Sequence, residues 1–169
     1  RPGGDDVLRQ LQVDDHQAGL TNRAVGDYSS VFGGTTNLAS GVSSSVGGGD
    51  SHSVFGQRSA ILGGTTSFVR PTDSAILGGD TNQIVGTQAN TSTVLAGSSN
   101  VITGNSTSSV IAGGQNNKLM ALRSAIIAGQ SHINSGSDSA IIACESNQMV
   151  SGVIDHCAII AGYGNVMTV

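Results

Sequence analysis

Few side chains in this 169-residue chain could do chemistry: Cys144 and Cys157, the histidines His16, His52, His132 and His156, and scattered acids such as Asp73, Asp80, Asp138, Glu145 and Asp155. Acid–base catalysis needs two carboxyl groups held close together in different environments. A metal centre needs three or four Cys, His, Asp or Glu side chains converging on one point, and the two cysteines lack any metal-ligand spacing. Gly47-Gly48-Gly49 could begin a phosphate-cradling loop, but Asp50-Ser51 follows where Lys-Ser/Thr would have to stand. Asn90-Thr91-Ser92 and Asn105-Ser106-Thr107 match the glycosylation acceptor pattern, in a sequence rich enough in Asn, Ser and Thr to produce such matches by chance.

Composition removes further classes. Charged residues make up 11% of the chain and aromatics 3%, with 25 glycines, no tryptophan and a formal net charge of -4. There is no basic footprint for nucleic acid and no polybasic face for a membrane surface. No apolar run approaches the roughly 20 residues that span a bilayer. The expectation is a non-enzymatic protein with no cofactor and no metal.

The elements that must position these side chains come from an internal repeat. Taking one Val or Ile per repeat as position zero gives Val31, Val46, Ile61, Ile76, Val94, Val110, Ile126, Ile141 and Ile159, at nearly regular intervals along the chain. Two residues earlier stands Ser, or Cys157 in the last repeat; two and three later stand Gly or Ala, with Cys144 as the exception. Six later stand Asn37, His52, Ser67, Asn82, Asn100, Asn116, His132, Asn147 and Asn165. Repeats this short cannot bury a core alone and must stack. Glycine content and the absence of a 3.6-residue period exclude helices. Each repeat reads as two short strands separated by Gly, Asn and Ser turns, so the fold expected is all-β: a parallel β-solenoid of about nine 15–18-residue coils over 28–169. At about 4.8 Å per coil the rod is roughly 43 Å long.

In such a stack each phase becomes a column. The Asn phase (Asn37, Asn82, Asn100, Asn116, Asn147, Asn165) is expected to form a corner ladder whose amides bond the backbone of the next coil. Position zero is assigned to the lumen. Neighbouring strand residues face opposite ways, so Phe32, Leu62, Leu77, Leu95, Ile111, Ile127, Ile142 and Ile160 are assigned to an outward apolar column. A strand greasy on both faces calls for a second covering surface, and side-by-side packing of copies would supply it. Phase also settles the chemistry. Cys157 stacks over Ser139, roughly 16 Å from Cys144, too far for an intrachain disulfide. His52 and His132 share a phase five coils apart, about 24 Å, and cannot share a metal within one chain. The acids share no single phase.

The segments Tyr28-Ser29-Ser30-Val31-Phe32-Gly33-Gly34-Thr35-Thr36-Asn37, Ser74-Ala75-Ile76-Leu77-Gly78-Gly79-Asp80-Thr81-Asn82 and Ser124-Ala125-Ile126-Ile127-Ala128-Gly129 resemble the head repeats of YadA-like trimeric autotransporter adhesins and related trimeric fibre proteins of phages and large viruses. The resemblance covers about 24–169. It implies a homotrimeric surface fibre, spike or adhesin head, extracellular or displayed on a virion or cell, whose other partners are fibre or capsid components and a host-surface receptor. Two alternative readings also use solenoids. An ice-binding rod wants a regular Thr array, hinted at by Thr35-Thr36 and Thr65-Thr66; a left-handed β-helix acyltransferase wants uniform 18-residue coils. Residues 1–27 depart from the repeat, carry Asp5-Asp6 and Asp14-Asp15, and read as a cap or joint with Val7, Leu8 and Leu11 spaced for one short helix, a strand being the alternative for so brief a stretch.

Overall fold

The computed structural model describes residues 11–12, 21–142, 145–150 and 156–168, and among them there is no helix. Two parallel sheets of ten two-residue strands run the length of the molecule. Each coil gives one strand to each sheet, as Ala60–Ile61 and Phe68–Val69 do, and pairs with the same strand of the next coil. A third line of contact is a column of single-residue parallel bridges from Thr35 through Asp50, Thr65, Asp80, Ser98, Gln115, Gln130 and Glu145 to Tyr163. The β-solenoid expected from the repeat is the fold observed.

The stack begins before residue 28. Leu11–Gln12 pairs in parallel with Ser30–Val31, and Arg23–Ala24 with Leu38–Ala39. Leu11 lies in a strand rather than a helix; Val7 and Leu8 fall outside the described residues.

Five columns point inward. Counting from position zero, they are the serines at −2, the aliphatics at zero, the Asn/His/Ser residues at +6, a mostly apolar column at +8 and small residues such as Gly56, Pro71 and Ala121 at +10. Val46, Ile61, Ile76 and Val94 are fully buried at zero, facing Val54, Val69, Ile84 and Ile102 at +8. This narrow lumen replaces a conventional core, and large side chains elsewhere are not required to build it.

The sixth coil departs from the sequence reading by one residue. Val94 pairs with Ile111, and Ile111 with Ile126, so Ile111 occupies position zero with no exposure while Val110 faces out at 37%. The lumen assignment of Val110 and the outward assignment of Ile111 are therefore reversed. Every marker in this coil is doubled: Ser108-Ser109, Val110-Ile111, Gly113-Gly114, Asn116-Asn117. Two registers fit the pattern equally well until Leu119 is placed, whose fully buried side chain sits eight positions after position zero as in the other coils.

Turns at three phases use left-handed backbone. At +3 the residue is glycine wherever it is described, with φ between 85° and 110°. At +5 and +12 most residues have a side chain, including Thr66 at 48° and Arg58 at 49°. Left-handed threonine is unfavourable by of order 1 kcal/mol or more. The stack maintains it because the φ reversal turns two successive N–H groups toward the preceding coil. One bonds a carbonyl there, as Thr66 N–H does to Asp50 at 2.8 Å and Asp73 N–H to Gln57 at 2.9 Å. In most coils the other is met by a side chain, as Ser67 N–H is by His52 and Ser74 N–H by Ser59.

With the corrected register a longer period emerges. The steps from Val46 to Ile111, Ile61 to Ile126, Ile76 to Ile141 and Val94 to Ile159 are identical in length, and each covers four coils. Features outside the lumen repeat at the same interval. Arg58–Asp73 and Arg123–Asp138 are matching two-pronged ion pairs between consecutive coils. Phe68, Gln83 and Val85 recur as Ile133, Gln148 and Val150, each set lining a shallow depression on the second sheet. The longest single-coil steps, Ile76 to Val94 and Ile141 to Ile159, coincide as well.

The corner at +3 gives a paired prediction. A Cβ on Gly64 would lie 2.0 Å from the Gly79 carbonyl oxygen at φ +102°, whereas one on Gly63 would touch nothing within 4 Å. Gly64→Ala should cost at least about 2 kcal/mol, and Gly63→Ala about 0.5 kcal/mol or less, read as shifts in the denaturant midpoint.

Candidate functional site

Two sets of residues carry the molecule's specific geometry: side-chain ladders inside and an apolar stripe outside. The asparagine ladder is built from three bonds per residue. Asn100 accepts the Asn117 N–H on its Oδ1 at 3.1 Å and donates through Nδ2 to the Ala96 carbonyl of its own coil at 3.3 Å and to the Gly114 carbonyl of the next at 2.9 Å. Asn37 and Asn82 repeat the pattern, with Nδ2 bridging Gly33 to Gly49 and Gly78 to Gly97. The ladder extends to Asn22, whose Oδ1 receives the Asn37 N–H. Asn147 and Asn165 belong to it as assigned, Asn165 N–H donating to Asn147 Oδ1. Asn116 does not. It sits at +5 with φ 56°, and Asn117 takes the ladder place, as the corrected register of the sixth coil requires.

A serine ladder does the same at −2. The N–H groups of Ser74, Ser92, Ser109, Ser124, Ser139 and Cys157 donate to the hydroxyl oxygens of Ser59, Ser74, Ser92, Ser109, Ser124 and Ser139, at 3.0 to 3.2 Å. Cys157 thus stacks on Ser139 as its phase requires; Cys144 lies outside the described residues.

His52 and His132 stand in the Asn column and are fully buried. Each accepts the next coil's N–H on Nδ1, from Ser67 and Asn147 respectively, at 3.1 Å. Nδ1 therefore plays Oδ1. Nε2 of His52 is directed toward the Gly64 carbonyl, where an asparagine would place Nδ2, without a well-formed hydrogen bond. Burial pushes the His52 imidazole below its ordinary pKa; the Gly64 and Ser67 contacts and the charge of Asp50 oppose this without reversing it.

On the outside, the first sheet presents the apolar stripe. Phe32, Leu62, Leu77, Leu95, Ile127 and Ile160 are exposed, by 41% to 67%, and Ile142 is half-buried in line with them. The column is interrupted at Gly47 and at Ala112, and beside Ala112 the exposed Val110 supplies the missing apolar volume from the −1 position. Small residues flank the stripe: Ala60, Ala75, Ala125, Ala140 and Ala158 at −1, with glycines at +2 whose absent Cβ atoms would point into open space. The second sheet is mixed. Phe55 and Phe68 meet at 5.2 Å, the Arg70 guanidinium lies 5.4 Å from the Phe68 ring, and Ser53, Gln83, Lys118 and Gln148 share that surface.

The acids occupy separate edges. Asp73 and Asp138 sit at +12, held below the usual carboxylate range by Arg58 and Arg123; Asp80 sits at +4, lowered by hydroxyls of Thr65 and Thr81. Asp155 is outside the described residues. No group of three His, Cys, Asp or Glu side chains suited to a metal ion occurs among the described residues. Of the two acceptor-type asparagines, Asn90 is half-buried with its Oδ1 receiving the Thr72 N–H, and Asn105 is exposed at a bend. No known protein family matches the chain, and no curated protein sequence matches it significantly.

Two ladder roles were not visible from residue types alone: the hydroxyls at −2 as acceptors, and Asn134 as a lumen residue. Asn134 occupies the apolar +8 column, fully buried, bonded to the Ala125 and Ser139 carbonyls and to the Gly136 N–H. Its apolar neighbour Ile133 faces outward.

Asn100→Ala removes the acceptor and both donated bonds in a dry corner. The expected cost is about 2–4 kcal/mol, against about 1 kcal/mol or less for Asn116→Ala, whose left-handed φ of 56° suits Asn better than Ala, measured by urea unfolding.

Proposed function

We propose that this chain is a non-enzymatic rod module that associates with copies of itself along the first sheet, as a homotrimer, and serves in a surface fibre, spike or adhesin head. The observation that carries the reading is the apolar stripe: six large side chains exposed in a straight file on one face, flanked by alanine and glycine that let another backbone approach closely. Burying the exposed half of each would contribute about 1 kcal/mol per residue. A file of this length favours a long parallel contact over a point contact. The choice of three copies rests on the resemblance of the Ser-Ala-Ile-Ile-Ala-Gly repeats to trimeric adhesin heads, as does display on a virion or cell surface, alongside fibre or capsid components and a host receptor.

Continuous ladders of backbone and side-chain hydrogen bonds support a mechanical role. The +4 edge, where an ice-binding rod would carry regular hydroxyls, alternates Thr35, Asp50, Thr65 and Asp80 before turning to Ser98, Gln115, Gln130 and Glu145. The acyltransferase alternative asks for uniform 18-residue coils, whereas most coils here are shorter.

Native mass measurement tests the reading. Three chains of 16.9 kDa give about 51 kDa. Ile127→Asp should shift the particle toward 16.9 kDa, while Asp138→Ala, which removes an exposed ion pair on another edge, should leave the assembly intact. A wild-type chain that stays folded and monomeric at micromolar concentration overturns the proposal.

A further inference from the structure

The structure points to His52 and His132 as acid-sensitive joints in the stack: we infer that protonating either imidazole breaks the side-chain bond between its coil and the next and loosens the rod there. Each corner needs a hydrogen-bond acceptor. The N–H groups of Ser67 and Asn147 face backward and find their acceptors on the imidazole Nδ1 atoms of His52 and His132. An imidazole accepts at Nδ1 only as the neutral tautomer that carries its proton on Nε2. The imidazolium has N–H at both nitrogens, so protonation sets two donors against each other in a fully buried position and adds a charge to the lumen. The asparagines that fill most of this column do the same work without titrating at these pH values.

The surroundings of His52 offer little to hold the charged form. Around His52, the coils on either side present Asn37 and Ser67 at the same phase and Thr35 and Thr65 at +4; the first sheet presents Ser44, Ser59, Val46 and Ile61. Asp50, exposed at +4 of the same coil, is the carboxylate near it. Around His132 stand Asn117 and Asn147, Gln115 and Gln130, and the serines and isoleucines of the first sheet, with Glu145 exposed at +4 of the following coil. The depressed basicity of His52 agrees with this geometry. Its folded-state value lies below the unfolded 6.5, so the unfolded chain binds the extra proton more readily, and stability falls as pH drops through about 6.5 toward the folded value.

The test compares the wild-type chain with His52→Asn, His132→Asn and the double variant, each restoring the residue type of the column. Unfolding equilibria are measured in urea from pH 7.5 to 4.5. For each histidine the wild-type unfolding constant should rise up to about tenfold more per pH unit below pH 6.5 than that of the matching variant. Parallel pH profiles for wild type and double variant overturn the inference. If a variant fails to fold, the ring nitrogen NMR shifts of the wild-type chain decide the matter. Imidazoles that stay neutral with Nδ1 unprotonated well below pH 6.5 support it; either ring titrating at its ordinary value in the folded chain refutes it.

Discussion

At two corners of most coils the backbone turns a pair of N–H groups back toward the coil before it, and one of each pair has no carbonyl of that coil to meet. A buried N–H left in that state costs about as much as the hydrogen bond it lacks. The chain answers with a side chain, Asn or His at one corner and, from Ser59 onward, Ser at the other. The acceptor has to be short enough to stay in the corner and must sit directly beneath its target. Both requirements propagate. They fix the phase of every coil against the next, and the five inward columns then follow from the alternation of the strands.

The apolar residues are subordinate to this arrangement, which explains where a reading of residue types succeeds and where it slips. The repeat, the two strands per coil, the lumen at position zero and the exposed stripe were legible because one Ile or Val recurs beside Ser, Gly and Asn at fixed offsets. The second strand was less so. Size and hydrophobicity favour Leu38, Phe68 and Ile133 as the inward residues, yet the corners set the phase and turn Ala39, Val69 and Asn134 inward instead. The sixth coil failed for a different reason. Each of its markers is doubled, so the local pattern holds no information about which copy counts, and the register is decided by Leu119 and by the neighbours on either side. The four-coil period stayed hidden behind that slip. It appears only when Ile111, rather than Val110, is taken as the counterpart of Val46, which makes that step equal to the one from Ile61 to Ile126.

Inside and outside are thus separated by role. Polar side chains at −2 and +6 are spent on the backbone of the same chain, which leaves the ladder atoms with little capacity to bind anything else. The apolar file on the first sheet does nothing for its own coil beyond covering a strand. Exposed ion pairs such as Arg58–Asp73 tie neighbouring coils along one edge, where solvent screens them and the glycine-free left-handed turns keep them in line.

A unit of four coils that repeats the ion pair and the second-sheet depression works like a length of modular scaffolding. Excising or inserting one whole unit, such as the stretch from Val46 up to Ile111, leaves each column continuous across the seam, because the joined ends present the same phases as before. Rod length can therefore change by about 19 Å at a time while the stripe and the ion-pair edge keep their recurrence. Changes of a single coil would keep the columns stacked but shift the ion pairs and the longer coils out of their four-coil recurrence. Evolution by unequal recombination, or deliberate resizing of the protein, has in this period a natural increment.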